Sequence, residues 1–293
     1  MSDEIPDELI EEIFSRLPVK TLIRFRCVSK SWRAIIGSQD FIRKHLNHSS
    51  NHTLILGNFN HSYSGIEEPY LYSADYNSFL ETNRADFKEL SLPIMPRTEI
   101  SSDTWGSCNG LICLLCFWKS RIFLWNPSTR KHRILPEAKF EIPNILKGDV
   151  QTIYGIGNDF VNDDYKVVSM VQIDTVDDDV YSQVKVYSLK SDSWRSVEDF
   201  PYYFDWGNSG KLANGALHWV VKASAKSESE NLIAAFDLGT EEYSDCFQKV
   251  RLKPIAYSKC RRRVLLGQTD RLLLWFVHGE TWGRDSEQEG GFR

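Results

Sequence analysis

Two cysteines, Cys113 and Cys116, have the CxxC spacing that occurs in zinc and redox sites. A structural zinc site needs four ligands, and the chain has no second CxxC pair to complete such a set. The pair lies in the apolar run LICLLC, and residues three apart in a strand point to opposite faces of the sheet. The pattern therefore favours core packing for both sulfurs.

Two other stretches have the composition of ligand sites but lack the required spacing. GNSGK at 207–211 has the residues of a phosphate-binding loop, but the GxxxxGK[ST] spacing is absent and Leu212 stands where Ser or Thr is needed. The aspartates at 174 and 177–179 lack the alternation and the glycine turn of a calcium loop. We expect neither stretch to bind its ligand.

Three histidines, His45, His48 and His52, could share a helical face, but no Cys or carboxylate completes a metal ligand set with them. No Ser or Cys nucleophile is accompanied by a recognisable histidine motif. The sequence thus predicts no catalytic residue, no metal and no cofactor, and it favours a protein that is not an enzyme.

The densest aromatic stretch is FPYYFDWGN at 200–208. Aromatic side chains dominate the energetics of protein interfaces, and loops on a rigid β scaffold commonly carry binding sites. The stretch is therefore a candidate site for a protein partner, through Tyr202, Tyr203, Phe204 and Trp206. The alternative is that these rings belong to the core.

Charge and hydropathy exclude several classes of protein. The 293-residue chain has a formal net charge of −5, whereas nucleic-acid and anionic-membrane binders carry a large basic excess. The longest apolar run, LICLLCFW, is far shorter than the roughly 20 residues of a membrane helix. The acidic start MSDEIPDELIEE is unlike a signal peptide. We expect a soluble protein of the cytoplasm, the nucleus or both, with neither nucleic acid nor membrane as a partner.

Residues 1–47 form the first predicted domain, and helix signals run through 3–46. Apolar residues in IPDELIEEIFSRL recur on one helical face, and Pro18 ends that helix. A second helix begins near Val19, with a break near 29–31 as an option, and Ser38 has the position of an N-cap for a short last helix. The pattern predicts a three-helix domain.

This predicted domain has more apolar surface than it can hide. A module of about 45 residues buries too little surface to be comfortably stable alone. Three short helices cannot cover all of its large apolar side chains, which include Leu9, Ile13, Leu17, Leu22, Phe25 and Trp32. Two explanations stay open: the excess surface binds a partner, or the rest of the chain covers it.

The segment IPDELIEEIFSRLPVKTLIRFRCVSKSWRAIIGSQDFIRKHL resembles a plant-type F-box over nearly its full extent. The matching features are Ile5-Pro6, Leu9, Ile10, Ile13, Leu17-Pro18, Lys20, Leu22, Phe25, Val28, Lys30, Trp32 and Phe41. The resemblance implies that this domain docks onto the Skp adaptor of a cullin–RING ubiquitin ligase, which favours the partner explanation. By the family pattern, the residues in or near that interface are Pro6, Leu9, Leu17, Pro18, Val19, Lys20, Leu22 and Phe25. The same pattern assigns internal packing to Ile10, Phe14, Val28, Trp32 and Ile36.

Beyond residue 53 the apolar pattern changes to short strand-like runs bounded by turn residues. SCNGLICLL and LANGALHWV share an Asn-Gly step before a strand. FLWNPSTRKHRILP, KVYSLKSDSWRSVEDFP and IAAFDLGTEEYS share a strand, a polar turn and a second segment, with Trp125, Tyr187 and Phe236 in equivalent places. Repeats of roughly 50–60 residues made of hairpins predict a propeller-like β domain over 53–276.

These stretches, with YGIGNDFVNDDYKVVSM, resemble the F-box-associated domain found with plant F-boxes, which is related to kelch-type propellers. The sequence departs from that family because few residues separate FDLGTEEYS from PIAYSKCRRRVLL. We expect a body that lacks a segment near 245–253, a ring whose strand edges stay open, and a disordered polar tail at 277–293.

Together the resemblances imply an α+β multidomain protein that is a substrate-recognition subunit of an SCF (Skp–cullin–F-box) E3 ubiquitin ligase. The first domain would bind the Skp adaptor, and through it the cullin and RING subunits. The β domain would bind an unknown protein substrate for ubiquitination. One alternative is a shortened isoform that occupies the adaptor without delivering substrate. The other is a β-propeller enzyme, which would need convergent carboxylates or metal ligands, and the sequence offers no candidate pair.

Overall fold

The computed structural model of the chain describes residues 5–48, 53–58, 61–62, 65–66, 70–82, 86–91, 106–116, 121–143, 150–174, 180–204, 209–223, 231–246, 267–269 and 272–277. Residues 5–48 form a helical head, and the described residues from 53 to 277 form a β body. The expected order, helices first and β structure after, is confirmed.

The head contains four helices, one more than predicted. They are α1 (Asp7–Ser15), α2 (Val19–Phe25), α3 (Lys30–Gly37) and α4 (Gln39–His48). The segment after Val19 breaks because Ser29 is extended and its Oγ accepts the Trp32 amide at 3.0 Å, which begins a new helix. Ser38 caps α4 in the same way, as the sequence predicted, through the Phe41 amide at 3.2 Å.

The β body contains three four-stranded antiparallel sheets, each a run of consecutive strands. The first has β6 (Gly106–Cys108), β7 (Leu111–Cys116), β8 (Arg121–Asn126) and β9 (Lys131–Ile134). The second has β10 (Val150–Asp159), β11 (Asp164–Asp174), β12 (Val180–Ser188) and β13 (Ser193–Ser196). The third has β14 (Lys211–Ala213), β15 (Ala216–Lys222), β16 (Asn231–Asp237) and β17 (Tyr243–Cys246).

A fourth, mixed sheet combines strands from both ends of the β body, in the order β18-β19-β1-β4-β5. Its members are β1 (Thr53–Asn58), β4 (Tyr70–Asp75), β5 (Lys88–Leu90), β18 (Gly267–Thr269) and β19 (Leu272–Val277). The remaining elements are the small ribbon β2 (His61–Ser62) and β3 (Gly65–Ile66), and the helix α5 (Tyr76–Thr82).

The ring that we expected to stay open is closed in the described strands. The innermost strands β6, β10, β14 and β18 contact one another in that cyclic order, and β18 returns to β6. β1 pairs in parallel with β19, so the first strand of the body covers the edge of its last hairpin. Residues 247–253, where we predicted a missing segment, and the tail at 278–293 lie outside the described residues.

The sequence repeats correspond to equivalent parts of the three antiparallel sheets. Trp125, Tyr187 and Phe236 lie on the third strand of each sheet, and all three are buried. The two Asn-Gly steps are tight hairpin turns in which Asn109, Gly110, Asn214 and Gly215 all have positive φ, as a type I′ turn requires. The repeat predicted from sequence is therefore a four-stranded blade.

Neighbouring sheets approach closely at the glycines of β10. A Cβ atom at Gly157 would lie 2.3 Å from Leu238 and 2.7 Å from Leu212 of the third sheet. At Gly155 it would lie 2.7 Å from Leu217. The motif YGIGND therefore has a packing role, because its glycines let the inner strand of one blade contact the core of the next.

Ion pairs repeat between successive blades. Arg133 on β9 pairs with Asp192 in the β12–β13 turn at 2.6 Å, and Arg195 on β13 pairs with Glu241 in the β16–β17 turn. Each arginine directly follows a residue that is paired with a buried aromatic residue of the third strand. His132 is paired with Trp125, and Trp194 is paired with Tyr187. The same position thus joins blade to blade twice.

The second of these ion pairs extends into a buried network around Lys166. Its Nζ lies 2.6 Å from Asp159 Oδ2 and 2.8 Å from Glu241 Oε1, and it donates to the Leu238 carbonyl. Burial by itself raises the pKa of Asp159, but hydrogen bonds from Lys166 and Asn162 outweigh burial and hold that pKa below its usual value. The network ties the β10–β11 hairpin to the next blade.

Replacing Lys166 by methionine should destabilise the body by about 3–5 kcal/mol, because the buried Asp159 would lose its cation while Glu241 would keep only Arg195. The measurement is urea unfolding of the full chain at neutral pH. Arg133→Met is the matched control; it removes a solvent-exposed pair and should cost less than about 1 kcal/mol. Equal losses from the two variants would contradict the prediction.

Candidate functional site

The head has a core of its own, centred on the buried ring of Phe14. The Phe14 ring centroid lies 5.6 Å from that of Phe25, 5.0 Å from Trp32 and 6.5 Å from Phe41. Leu22 and Ile36 complete the buried set. Each of the four helices contributes an aromatic ring to this core. The inward-facing apolar side chains are therefore buried within the head itself.

A second apolar face of α1 points away from this core. Ile5, Leu9 and Ile13 are each more than half exposed, and they follow one another at intervals of four residues. We call these three residues the outer stripe. Leu9 and Ile13 are four residues apart on α1 and therefore lie on one helical face, beside the inward-facing Ile10 and Phe14, while Ile5 directly precedes the N-cap residue Pro6.

The sequence analysis assigned Leu9 to an interface but did not predict that Ile5 and Ile13 are exposed as well. The signal was available in two adjacent apolar pairs, 9–10 and 13–14. A single inward face cannot accommodate both members of each pair, since neighbouring residues are about 100° apart around a helix. One member of each pair therefore points outward.

The turn between α1 and α2 presents the next part of the predicted interface. Pro18 and Lys20 are exposed, while Leu17 and Val19 are half-buried. Pro18 directly precedes α2, and its carbonyl accepts the amides of Thr21 and Leu22 at 2.9 and 3.2 Å. From α4, the buried His45 lies with Nε2 2.8 Å from the Leu17 carbonyl oxygen, which fixes the turn against the last helix.

The structure changes the expected positions of three head residues. Leu22, predicted at the interface, is buried in the Phe14 core, and Phe25 is half-buried against Phe14 and Trp32. Val28, assigned to internal packing, is exposed in the turn between α2 and α3 because the helix break at Ser29 turns it outward. Pro6, which precedes α1, is exposed as expected of an interface residue.

The head contacts the body at the end where the β10–β11 hairpin turns. Arg43 of α4 pairs with Asp163 of that turn at 2.8 Å. A cavity of about 430 Å³ lies between Lys20, the mixed sheet and the turns at Gly110 and Ser128. The outer stripe does not line this cavity.

The candidate aromatic segment lies at the other end of the body. Gln172, buried near the far end of β11, donates to the Tyr202 carbonyl at 2.8 Å and accepts the Phe204 amide at 3.0 Å. Nine residues of extended strand separate Gln172 from Asp163, or about 30 Å. The head contact and the aromatic segment are therefore at opposite ends of the blade.

The four aromatic residues proposed as a partner site do not share one environment. Tyr202 and Tyr203 are half-buried, and the Lys222 ammonium lies 6.0 Å from the Tyr203 ring centroid. Phe204 is fully buried in the core between the second and third sheets, so its ring cannot contact a partner, contrary to our expectation. Trp206 lies outside the described residues.

The described residues offer little for metal or nucleophile chemistry. Within them, no group of three or more His, Cys, Asp or Glu side chains is placed to hold a metal ion. Burial raises the pKa of the Cys113 thiol to about 12, so it stays protonated and unreactive at neutral pH. In the same part of the chain, no helix has the length and apolarity needed to cross a membrane.

Two protein-family models match the chain. The F-box domain matches residues 2–44, and the F-box associated beta propeller domain matches residues 66–281. The first match covers most of the head, and the second covers most of the β body.

Curated relatives come from Arabidopsis thaliana. F-box protein CPR1 is 35% identical over 258 residues, which cover 82% of this chain and 59% of the relative. F-box/kelch-repeat protein At3g23880 is 30% identical over 253 residues, covering 82% and 64%. F-box protein At3g07870 is 26% identical over 317 residues, covering 97% and 72%. The chain thus spans about three fifths of the length of the first two relatives.

His45→Leu should loosen the turn between α1 and α2, because the Leu17 carbonyl would lose its partner; an unpaired buried polar group costs about 1–3 kcal/mol. Hydrogen exchange followed by mass spectrometry should show faster exchange in peptides from α1 and α2. The control is His48→Leu, since the exposed His48 contacts only the Lys44 carbonyl of its own helix among its described hydrogen bonds. Unchanged exchange in the His45 variant would contradict the assigned role.

Proposed function

The chain belongs to the family of F-box proteins that carry an F-box associated beta propeller domain, and we propose that it is the substrate-recognition subunit of an SCF ubiquitin ligase. In this proposal the head binds a Skp-type adaptor, and through it the cullin and RING subunits. The β body binds a protein substrate. The proposal places the protein in the cytoplasm, the nucleus or both.

The exposed outer stripe is the observation that supports adaptor binding by the head. The Phe14 core already satisfies the inward faces of the helices, and the body contacts the head elsewhere, so Ile5, Leu9 and Ile13 have no covering surface among the described residues. An exposed apolar stripe of this kind is typical of a surface that a partner covers. We propose that the adaptor covers the stripe together with Pro6 and the turn at Pro18, Val19 and Lys20.

The internal residues have a supporting role in this proposal. Leu22 and Phe25 pack under the surface and hold α2 against α1, while Leu17 anchors the turn through its carbonyl. A substitution at Leu17 would therefore disturb the head as well as the interface. The exposed members of the surface are better probes of adaptor binding.

The substrate half of the proposal rests on the geometry of the body. Tyr202 and Tyr203 lie about 30 Å of strand away from the contact between head and body, so a substrate bound there would not compete with an adaptor on the head. Backbone hydrogen bonds to Gln172 and Lys222 hold the segment in one conformation, which lowers the entropic cost of binding.

We propose that the protein itself catalyses no covalent step. A receptor that holds a substrate lysine near a charged ubiquitin carrier acts by raising effective concentration, and this requires two binding surfaces on a rigid scaffold. The closed ring and the inter-blade ion pairs of the body supply such a scaffold.

Leu9→Asp and Ile13→Asp should each abolish binding of a purified plant Skp-family adaptor to the full chain, because each would place a charge in a desolvated apolar contact. Calorimetric titration measures the affinity. Both side chains are exposed, so the thermal unfolding of the variants should match that of the unmodified chain.

The control for these variants is Val150→Asp, which changes an apolar residue of comparable exposure at the start of β10. This variant should bind the adaptor like the unmodified chain. Adaptor binding that survives both Leu9→Asp and Ile13→Asp would refute the assignment of the outer stripe.

A combined Tyr202→Ala and Tyr203→Ala variant should bind the adaptor normally but lose substrates. The measurement is proximity labelling in plant cells with proteasome inhibition, comparing the unmodified chain, the tyrosine variant and Leu9→Asp. Substrates should be labelled by the unmodified chain and by Leu9→Asp, and should be depleted with the tyrosine variant. Identical labelling by all three proteins would exclude these tyrosines as the substrate contact.

A further inference from the structure

The cavity of about 430 Å³ between the head and the body has the size of a small-molecule site. Three parts of the chain form it: Lys20 of α2, one face of the mixed sheet, and the turns of the first blade at Gly110 and Ser128. Pockets that bind small molecules have volumes of about 300–1,000 Å³. Neither the outer stripe nor the tyrosines of the candidate substrate segment line this cavity.

The mixed sheet contributes an ordered row of side chains to the cavity. Thr53 is paired with Asp75, and Ser73 is paired with both Ile55 and Lys88. Directly paired residues point to the same face of a sheet, and so do residues two apart along a strand. These five side chains therefore share one face, and all five residues line the cavity.

The charged groups of the cavity are balanced but unpaired. Two cations and two anions line it, and no other charged residue among those described does so: Lys20, Lys88, Asp75 and Asp86. All four are exposed, so each is accessible to a ligand. The ion pairs of the described residues include none of the four. Opposite charges that line one cavity without pairing are available to a bound molecule that carries both charges.

The strand register sets the distance between the two signs of charge. Lys88 is paired with Ser73, and Asp75 lies two residues farther along β4. Two residues of extended strand span about 7 Å, so the backbone positions of this lysine and this aspartate are separated by about that length. Asp75 is also held in place, because its Oδ1 accepts the Ser78 amide at 2.7 Å at the start of α5.

We propose that this cavity binds a small zwitterionic molecule, whose ammonium group pairs with the two aspartates and whose carboxylate pairs with the two lysines. The four charges of the cavity sum to zero, so a ligand without net charge leaves none of them uncompensated. The hydroxyl groups of Thr53 and Ser73 lie on the same face and supply further hydrogen bonds. The inference goes beyond the proposed function, because it requires neither an adaptor nor a substrate.

A molecule in this cavity contacts both parts of the protein. Lys20 is the one described residue of the head that lines the cavity, and the other lining residues belong to the body. The ion pair between Arg43 and Asp163 is exposed to solvent, and exposed pairs contribute little to stability. The bound molecule therefore adds a second link between head and body.

The test is calorimetric titration of the full chain with 6-aminohexanoate, a zwitterion whose flexible chain is long enough to span the separation of the charges. Hexanoate and hexylamine are the controls, since each carries only one of the two charges. The zwitterion should bind, and each control should bind at least about 10-fold more weakly, because it pairs with only one side of the cavity.

Substitutions in the sheet test the assigned residues. Asp75→Asn and Lys88→Met should each weaken binding of 6-aminohexanoate at least about 10-fold. Asparagine also caps helices, so the first of these variants keeps the start of α5. Lys131→Met and Glu137→Gln are the matched controls, because both residues are exposed and lie outside the cavity, and they should leave the affinity unchanged. Thermal unfolding should be the same for all four variants.

A further variant tests the contribution of the head. Lys20→Met should weaken binding of 6-aminohexanoate about as much as Lys88→Met does. Unchanged affinity in this variant would show that the head takes no part in the site, and the inferred link between head and body would be wrong.

Several outcomes would overturn the zwitterion site. They are the absence of binding by 6-aminohexanoate, equal binding by hexanoate or hexylamine, and unchanged affinity in Asp75→Asn and Lys88→Met. Leu9→Asp should bind 6-aminohexanoate like the unmodified chain, because the outer stripe does not line the cavity. A failure of this site is thereby distinguished from a failure of adaptor binding.

Discussion

The structure depends first on how the side chains of the head fill its interior. Four short helices bring Phe14, Phe25, Trp32 and Phe41 together, and these rings leave no space for the outward side chains of α1. Close packing of the interior therefore excludes Ile5, Leu9 and Ile13 from the core. A helix with two apolar faces and one available core must expose the other face, and this exposed face is the surface that we propose the adaptor covers.

The body consists of short antiparallel sheets, and these sheets must be held to one another. Each of the three antiparallel blades has a buried aromatic ring at the equivalent place on its third strand, and Arg133 and Arg195 reach the turn of the following blade. Glycines on β10 bring the second and third blades into direct contact. The parallel pairing of β1 with β19 then covers the edge that a linear row of sheets would expose.

In the proposed function, the distance between the adaptor surface and the substrate surface is the important quantity. The hairpin of β10 and β11 spans the body from the head contact at Asp163 to Gln172, which positions the candidate substrate segment. The buried cation of Lys166 secures the turn end of this hairpin to the next blade. The length of the hairpin thus sets the distance between the head contact and the candidate substrate segment.

Sequence by itself determined the division into a helical head and a repeated β body, because helical and strand periodicities are local properties of the chain. It also determined the equivalence of Trp125, Tyr187 and Phe236, since similar turns recur at similar spacing. Only the tertiary structure decided which apolar residues are exposed: it buried Leu22 and Phe204 and left Val28, Phe160 and Val161 in water. It also decided that β1 pairs with β19, which are far apart in sequence. Exposure and long-range pairing depend on what every other element has already covered, and no local pattern contains that information.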